Sequence, residues 1–184
     1  MKNIEGFESC WPEKKRVPLT GKGKEQVKNS ARSLLRKGSD LIFSSDILRA
    51  KQTAEIAGRI LKIKPKFDKR LREIDIGDFN GQSVVNFGEF WNKGEKISPL
   101  EYYSRRFKVS APGGESYDQV EKRLSGFFKE MERKYQGKKI IVVSHSRPLA
   151  LLEKLIKNYS LKRFVNMIIK KKEIKTGQIR KLWK

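Results

Sequence analysis

The 184-residue sequence contains one cysteine and one histidine, and it has no long apolar stretch. A single cysteine, Cys10, cannot form an internal disulfide bond, which favours a reducing, cytoplasmic environment. With His145 as the only histidine, the sequence offers no recognisable zinc-binding set. No apolar run approaches the ~18–20 residues that a membrane-spanning helix requires, and the first residues lack the apolar core of a secretory signal. A disulfide-stabilised secreted domain, a zinc protein and an integral membrane protein are therefore disfavoured from the start.

Acidic residues are scarce as well. The chain has 21 Asp and Glu residues against 43 Lys and Arg residues, which gives a formal net charge of +22. Such an excess suits a nucleic-acid partner, an anionic substrate or an anionic membrane surface. The basic residues are spread over the whole length, however, and no nucleic-acid-binding motif accompanies their local clusters. We therefore interpret the charge mainly as a lysine-rich surface, with nucleic-acid binding as the alternative.

Length and periodicity predict one folded domain over 1–184. Apolar residues at spacings of three and four predict helices over 21–37 and 47–61. Ser116 and Gln119 form a capping box that opens a third helix, and a fourth is predicted to follow His145.

Short apolar runs predict strands at 40–43 and 140–143, and we expect a further pair of strands near 165–174 and 177–183. The segment 62–115 is rich in Gly and Pro, which predicts loops and short helices. Alternation of strands and helices predicts an α/β fold of three layers, with a mostly parallel central sheet and helices on both faces.

Polar side chains follow two of the predicted strands directly. Ser44 and Ser45 come after the first strand and Arg49 lies in the first turn of the next helix, while His145 follows the strand at 140–143. Ligands bind beyond the carboxyl ends of parallel strands, and a helix N-terminus with a guanidinium suits a phosphate group. An ordinary surface arginine and a structural histidine are the alternatives at these positions.

Five segments resemble, in order, the motifs of the histidine phosphatase superfamily, the phosphoglycerate-mutase-like proteins. They are 18–23 with Gln26, 44–54, 71–81, 112–116 and 143–145. The resemblance covers essentially the whole chain from Asn3 to about Leu182, and it implies a phosphoglycerate-mutase-like fold.

The resemblance also implies roles for particular residues. Arg49 would bind the transferring phosphoryl group, and His145 would stabilise charge on its oxygens. Glu73 would protonate the leaving oxygen, the alternative being an exposed carboxylate paired with Arg70 or Arg72. Asn3 would contact phosphate, and Arg105, in a basic pair similar to one that mutases use, would contact the substrate. No metal or organic cofactor is implied.

One part of the family's pattern is not found in the sequence. The family begins with a strand that leads into Arg-His-Gly, whose histidine becomes phosphorylated, whereas the only histidine here matches the later motif. We therefore expect a domain that lacks its first strand, by a wrongly assigned start or a real loss, and that has negligible phosphatase activity as given. Ser146 also stands where the family usually has glycine.

The resemblance favours a phosphomonoester hydrolase acting on a small phosphorylated substrate. A phosphoglycerate-mutase-type phosphotransferase and a non-catalytic protein that binds phosphate or nucleic acid are the alternatives. Cys10 is the only intrinsically reactive substitute for the missing nucleophile, and spacing alone moves none of the other residues into that role.

Overall fold

The computed structural model describes residues 17–82, 84–172, 174 and 178–182, and the side chain of Val84 is not among the described ones. Asn3 and Cys10 therefore lie outside the described residues. The described strands are β1 (Leu41–Ser44), β2 (Lys66–Phe67) and β3 (Ile140–Val143). The described α-helices are α1 (Gly21–Leu35), α2 (Leu48–Leu61), α3 (Val84–Asn92), α4 (Pro99–Lys108), α5 (Tyr117–Lys134), α6 (Ser146–Ile156) and α7 (Leu161–Ile169).

The three strands form a parallel sheet in the order β2-β1-β3. Along β1 and β3, alternate residues face opposite sides of the sheet, as the two-residue period of a strand requires. Ile42 and Ile141 pack with Ala54 of α2 and the neighbouring α1, whereas Phe43 packs with Phe127 of α5. The predicted α/β architecture with helices on both faces of a parallel sheet is therefore confirmed.

Most predicted elements are confirmed with shifts of a few residues at their ends. The segment 62–115 contains two short helices, α3 and α4, and two single turns of 3-10 helix at Lys69–Leu71 and Gly77–Phe79. The capping box is present, because Ser116 Oγ accepts from Gln119 N and Gln119 Oε1 accepts from Ser116 N.

The prediction of two C-terminal strands is wrong for the part that the structure describes. The expected strand near 165–174 begins inside helix α7, and residues 178–182 of the expected strand near 177–183 form no regular element. The segment forms helix α7 because Ser160 caps its N-terminus. In addition, Phe164, Val165 and Ile168 recur at helical spacing and are buried.

Strand β3 is apolar but only half-buried. All four of its residues are of intermediate exposure, and its pairing in the described part of the chain is with β1 alone. An apolar, β-branched strand of this kind is typical of a strand with neighbours on both sides.

None of the helices in the described ranges combines the length and apolar character that crossing a bilayer requires.

Candidate active site

The site lies where β1 and β3 end, because parallel pairing brings their carboxyl ends to the same edge of the sheet. Ser44 is paired with Val143, and Ser45 N donates to Val143 O at 2.9 Å. The residues that follow, Ser45 and His145, are fully buried or nearly so. The two strand-to-helix junctions that the sequence pointed to therefore meet in one place.

His145 is held at this edge by a hydrogen bond between its Nε2 and Ser45 Oγ, 2.9 Å apart. The Ser45 hydroxyl also accepts from Ile47 N at 3.3 Å, just before α2 begins. Burial, together with the positive charges of Arg49 and Arg123, lowers the pKa of His145 to about 3. The imidazole is therefore neutral at neutral pH, and it fixes the spacing between the two junctions.

Arg49 lies in the first turn of α2, as expected, and is half-buried. Its charge adds to the lowering of the His145 pKa that burial causes, and it opposes the rise in the Glu73 pKa that burial causes. Since charges interact strongly only over short distances in a protein, Arg49, Glu73 and His145 form one cluster.

Glu73 follows the 3-10 turn at Lys69–Leu71 and approaches the site from a different loop. Burial raises the pKa of its carboxyl, and the bond from Ile74 N and the charges of Arg49, Arg147 and Arg123 oppose this effect. Desolvation of a carboxyl favours its protonated form, which is the form that a proton donor requires.

The two arginines that precede Glu73 closely in the sequence form ion pairs with carboxylates other than Glu73. Arg70 donates to Asp68 and Glu130, and Arg72 makes two 2.6 Å hydrogen bonds to Asp46. The Arg72–Asp46 pair ties the loop of Glu73 to the junction that follows β1.

Two loops interlock to position Glu73. Glu115 N donates to Asp75 O at 2.7 Å, and Asp78 N donates to Pro112 O at 2.9 Å. Gly77 has a φ of +56°, and a Cβ there would lie 1.9 Å from Pro112 O. In the segment 112–116, a Cβ at Gly114 would lie 2.6 Å from Asp75 O, so glycine at this position lets the segment pack against the loop that carries Glu73.

Arg123 of α5 connects these two loops by hydrogen bonds. Its guanidinium donates to both carboxylate oxygens of Glu115, at 2.9 and 3.0 Å. It also donates to the carbonyl of Glu73 at 3.1 Å and to the carbonyl of Arg70. Sequence reasoning missed Arg123, because nothing in a helix pattern shows which loop carbonyls a side chain will reach.

Arg147 is a second residue that sequence reasoning missed. It lies in the first turn of α6, two residues after His145, and its charge acts on Glu73. Its place in the same junction as His145 was the available signal.

The remaining predicted site residues are not brought into this cluster by any described contact. Arg105 donates to Trp91 O at 3.0 Å, to Glu101 at 2.8 Å and to Glu95 at 3.3 Å, between α3 and α4. Its role in substrate binding stays a prediction, as does that of Asn3, which lies outside the described residues.

The edge of the sheet therefore carries guanidinium groups, a neutral histidine and a carboxyl of raised pKa. Guanidinium groups beyond the ends of parallel strands are suited to an anionic ligand.

Comparison with known proteins identifies the family. The model of the histidine phosphatase superfamily (branch 1) matches residues 8–179. Phosphoserine phosphatase 1 of Hydrogenobacter thermophilus is 28% identical over 146 residues, which are 79% of this chain and 67% of that protein. A probable phosphoglycerate mutase of Salmonella paratyphi C is 32% identical over 160 residues, with coverage of 79% and 68%. The chain belongs to the histidine phosphatase superfamily.

Solved structures show the same fold. A mycobacterial glucosyl-3-phosphoglycerate phosphatase aligns with a TM-score of 0.71 at 21% identity, over 86% of this chain and 76% of that one. A phosphoglycerate mutase from Bacillus anthracis aligns with a TM-score of 0.66 at 23% identity, over 77% and 70%. The phosphoglycerate-mutase-like fold expected from the motifs is confirmed.

Proposed function

We propose that this domain binds small phosphate monoesters and has the site of a phosphomonoester hydrolase of the histidine phosphatase type. Arg49 and His145 hold the phosphoryl group at the carboxyl ends of β1 and β3. Glu73 supplies the proton to the leaving oxygen.

The observation that carries this proposal is the opposite perturbation of two neighbouring groups. Burial raises the pKa of Glu73, while burial and nearby guanidinium groups lower the pKa of His145 to about 3. Groups with perturbed pKa values cluster at functional sites. A dianionic phosphate beside Arg49 would offset the positive charge around His145, so binding favours uptake of a proton by the imidazole.

Hydrolysis is favoured over phosphotransfer between sugar-acid positions. The segment between Gly81 and Pro112 is short, and the mutase alternative draws on the resemblance of Arg105 to a basic pair that mutases use on the substrate. In the structure the Arg105 guanidinium is bound to Glu101 and Glu95. The relatives include proteins named as phosphatases and as mutases, so this choice rests on the site.

Catalytic turnover by the 184-residue chain is a separate question from phosphate binding. The family's reaction passes through a phosphorylated histidine, and the only histidine of this chain, His145, matches the second histidine of the family. We propose that the chain as given binds phosphate at the site without covalent turnover.

Calorimetric titration with vanadate or inorganic phosphate tests the site. Arg49→Gln should weaken binding about tenfold or more, because a guanidinium–anion pair contributes roughly 1.5–3 kcal/mol. Arg59→Gln, an exposed arginine on the same helix, removes the same charge and should leave binding nearly unchanged. Equal losses in the two variants would show that binding is diffuse electrostatics and would overturn the proposal.

A further inference from the structure

The Ser45 hydroxyl lies between the two strand-to-helix junctions of the site. The Ser45 side chain is fully buried, and its Oγ contacts two nitrogen atoms, Ile47 N at 3.3 Å and His145 Nε2 at 2.9 Å. Ile47 N is a backbone donor, so the hydroxyl oxygen accepts from it. The direction of the second bond, between the hydroxyl and the imidazole, then decides which ring nitrogen of His145 carries the proton.

The hydroxyl hydrogen of Ser45 finds its acceptor, within the described part of the chain, at His145 Nε2. The bonds of Ser45 Oγ in this part are those with Ile47 N and His145. If the imidazole donated through Nε2 instead, the hydroxyl would be a buried donor without an acceptor, which folded proteins rarely tolerate. The hydroxyl therefore donates to Nε2.

A neutral imidazole that accepts at Nε2 carries its hydrogen on Nδ1. The ring is neutral at neutral pH, since burial and the charges of Arg49 and Arg123 lower the pKa of His145 to about 3. Nδ1 has no hydrogen-bond partner among the described residues, yet it is not shut off from solvent, and it contributes to the 6% of His145 that is exposed. The Nδ1–H group is therefore a donor that remains open to a ligand.

We propose that Ser45 is a positioning residue that holds the His145 imidazole as its Nδ1-protonated tautomer, so that the ring presents an N–H donor to the phosphoryl group of the ligand. The contact with the ligand rests on the proposed function, whereas the tautomer rests on the hydrogen bonds of Ser45. Nδ1 keeps its hydrogen when a bound anion adds a second proton to the ring at Nε2. Donors that are oriented before the ligand arrives need no reorganisation on binding.

Nuclear magnetic resonance of protein labelled with 15N-histidine tests the tautomer, because His145 is the only histidine. The 15N shifts distinguish the protonated ring nitrogen from the unprotonated one. At neutral pH the wild type should show a protonated Nδ1 and an unprotonated Nε2. Ser45→Ala should shift the population toward the Nε2-protonated tautomer, and Ser45→Thr, which keeps a hydroxyl, should restore the wild-type pattern. Ser44→Ala removes an equally buried hydroxyl, whose bonds go to the carbonyls of Ser45 and Ala50, and should leave the tautomer unchanged.

Calorimetric titration with vanadate and proton exchange test the contact with the ligand. Ser45→Ala should weaken vanadate binding roughly three- to tenfold, as expected for the loss of one hydrogen bond to an anion. Ser45→Thr and Ser44→Ala should bind vanadate nearly as tightly as the wild type. In the wild type, saturating inorganic phosphate should slow the exchange of the Nδ1 proton with water.

The outcomes separate this inference from the proposed function. Arg49→Gln should weaken vanadate binding and leave the His145 tautomer unchanged. A wild type that carries the proton on Nε2 would overturn the role of Ser45, as would a folded Ser45→Ala variant that binds vanadate as tightly as Ser44→Ala, and in both cases the Arg49-dependent pocket would stand. If the wild type does not bind vanadate, the proposed function fails, and the ligand contact of His145 fails with it.

Discussion

Replacing Arg123 by methionine should destabilise the fold and loosen the site together. The methionine keeps much of the apolar stem but removes the guanidinium that joins Glu115 to the carbonyls of Glu73 and Arg70. The Arg123 and Glu115 side chains are 17% and 27% exposed, so the variant leaves a largely buried carboxylate without its main partner.

The magnitude follows from this burial. Breaking a fully buried ion pair costs roughly 3–5 kcal/mol, and the partial exposure here reduces the expected loss to about 2–4 kcal/mol. For a domain of this size, that loss corresponds to a fall in the melting temperature of roughly 5–15 °C. Vanadate binding should weaken as well, because the loop that carries Glu73 loses its anchor.

Thermal melts followed by circular dichroism, with Arg133→Met as the control, measure the effect. Arg133 is exposed on the same helix, so its replacement should change the stability by no more than about 0.5 kcal/mol. A double-mutant cycle with Glu115→Gln should give a coupling of at least ~1 kcal/mol. Equal melting temperatures for Arg123→Met and Arg133→Met would refute the reasoning.

Two further predictions concern the same edge of the sheet. Because His145 is the only histidine, its ring protons can be followed without ambiguity by NMR, and they should show no titration near pH 6.5, since its pKa is lowered to about 3. The pKa of His145 is lower in the folded state than in the unfolded state, so the unfolded state binds more protons between these two values. The contribution of His145 to the free energy of unfolding therefore falls as the pH drops from about 6.5 to 3. Relative to His145→Gln, the free energy of unfolding of the wild type should fall by about 2 kcal/mol between pH 7 and 5. A ring titrating near pH 6.5 would contradict the burial. Gly77→Ala should lower the free energy of unfolding, measured by urea denaturation, by at least ~2 kcal/mol, because its Cβ would meet Pro112 O. Gly126→Ala, which has open space around it in α5, should be neutral or stabilising. Similar effects of the two changes would show that the loops are not tightly interlocked.

The parts of this molecule that the sequence predicts well are those with local causes. The strands at 41–44 and 140–143 are short apolar runs, and the residues that end them are polar, so Ser45 and His145 fall at the same edge once the strands are parallel. The capping box at Ser116 is likewise a contact between residues three positions apart.

The failures have long-range causes. At α7, residues with strand-like side chains form a helix because its apolar face packs into the core shared with α4. The roles of Arg123 and Arg147 depend on which loop or helix lies opposite them, which periodicity does not reveal. The substrate contact of Arg105 stays a prediction, and its guanidinium donates to Glu101, Trp91 O and Glu95 of its own region.

The expected absence of a first strand stays a prediction. In the described part of the chain β3 is half-buried and pairs with β1 alone. A parallel neighbour on its other side would bury its side chains and pair with its backbone.

Turnover of p-nitrophenyl phosphate by a lengthened chain tests the central claim most directly. The addition is an N-terminal apolar strand of about 5–6 residues that ends in Arg-His-Gly. We predict no turnover above background for the 184-residue chain and clear turnover for the lengthened chain, which is lost when the added histidine becomes alanine or when Arg49 becomes glutamine. A lengthened chain that folds and binds vanadate but remains inactive would contradict the account, as would robust activity of the 184-residue chain that depends on His145.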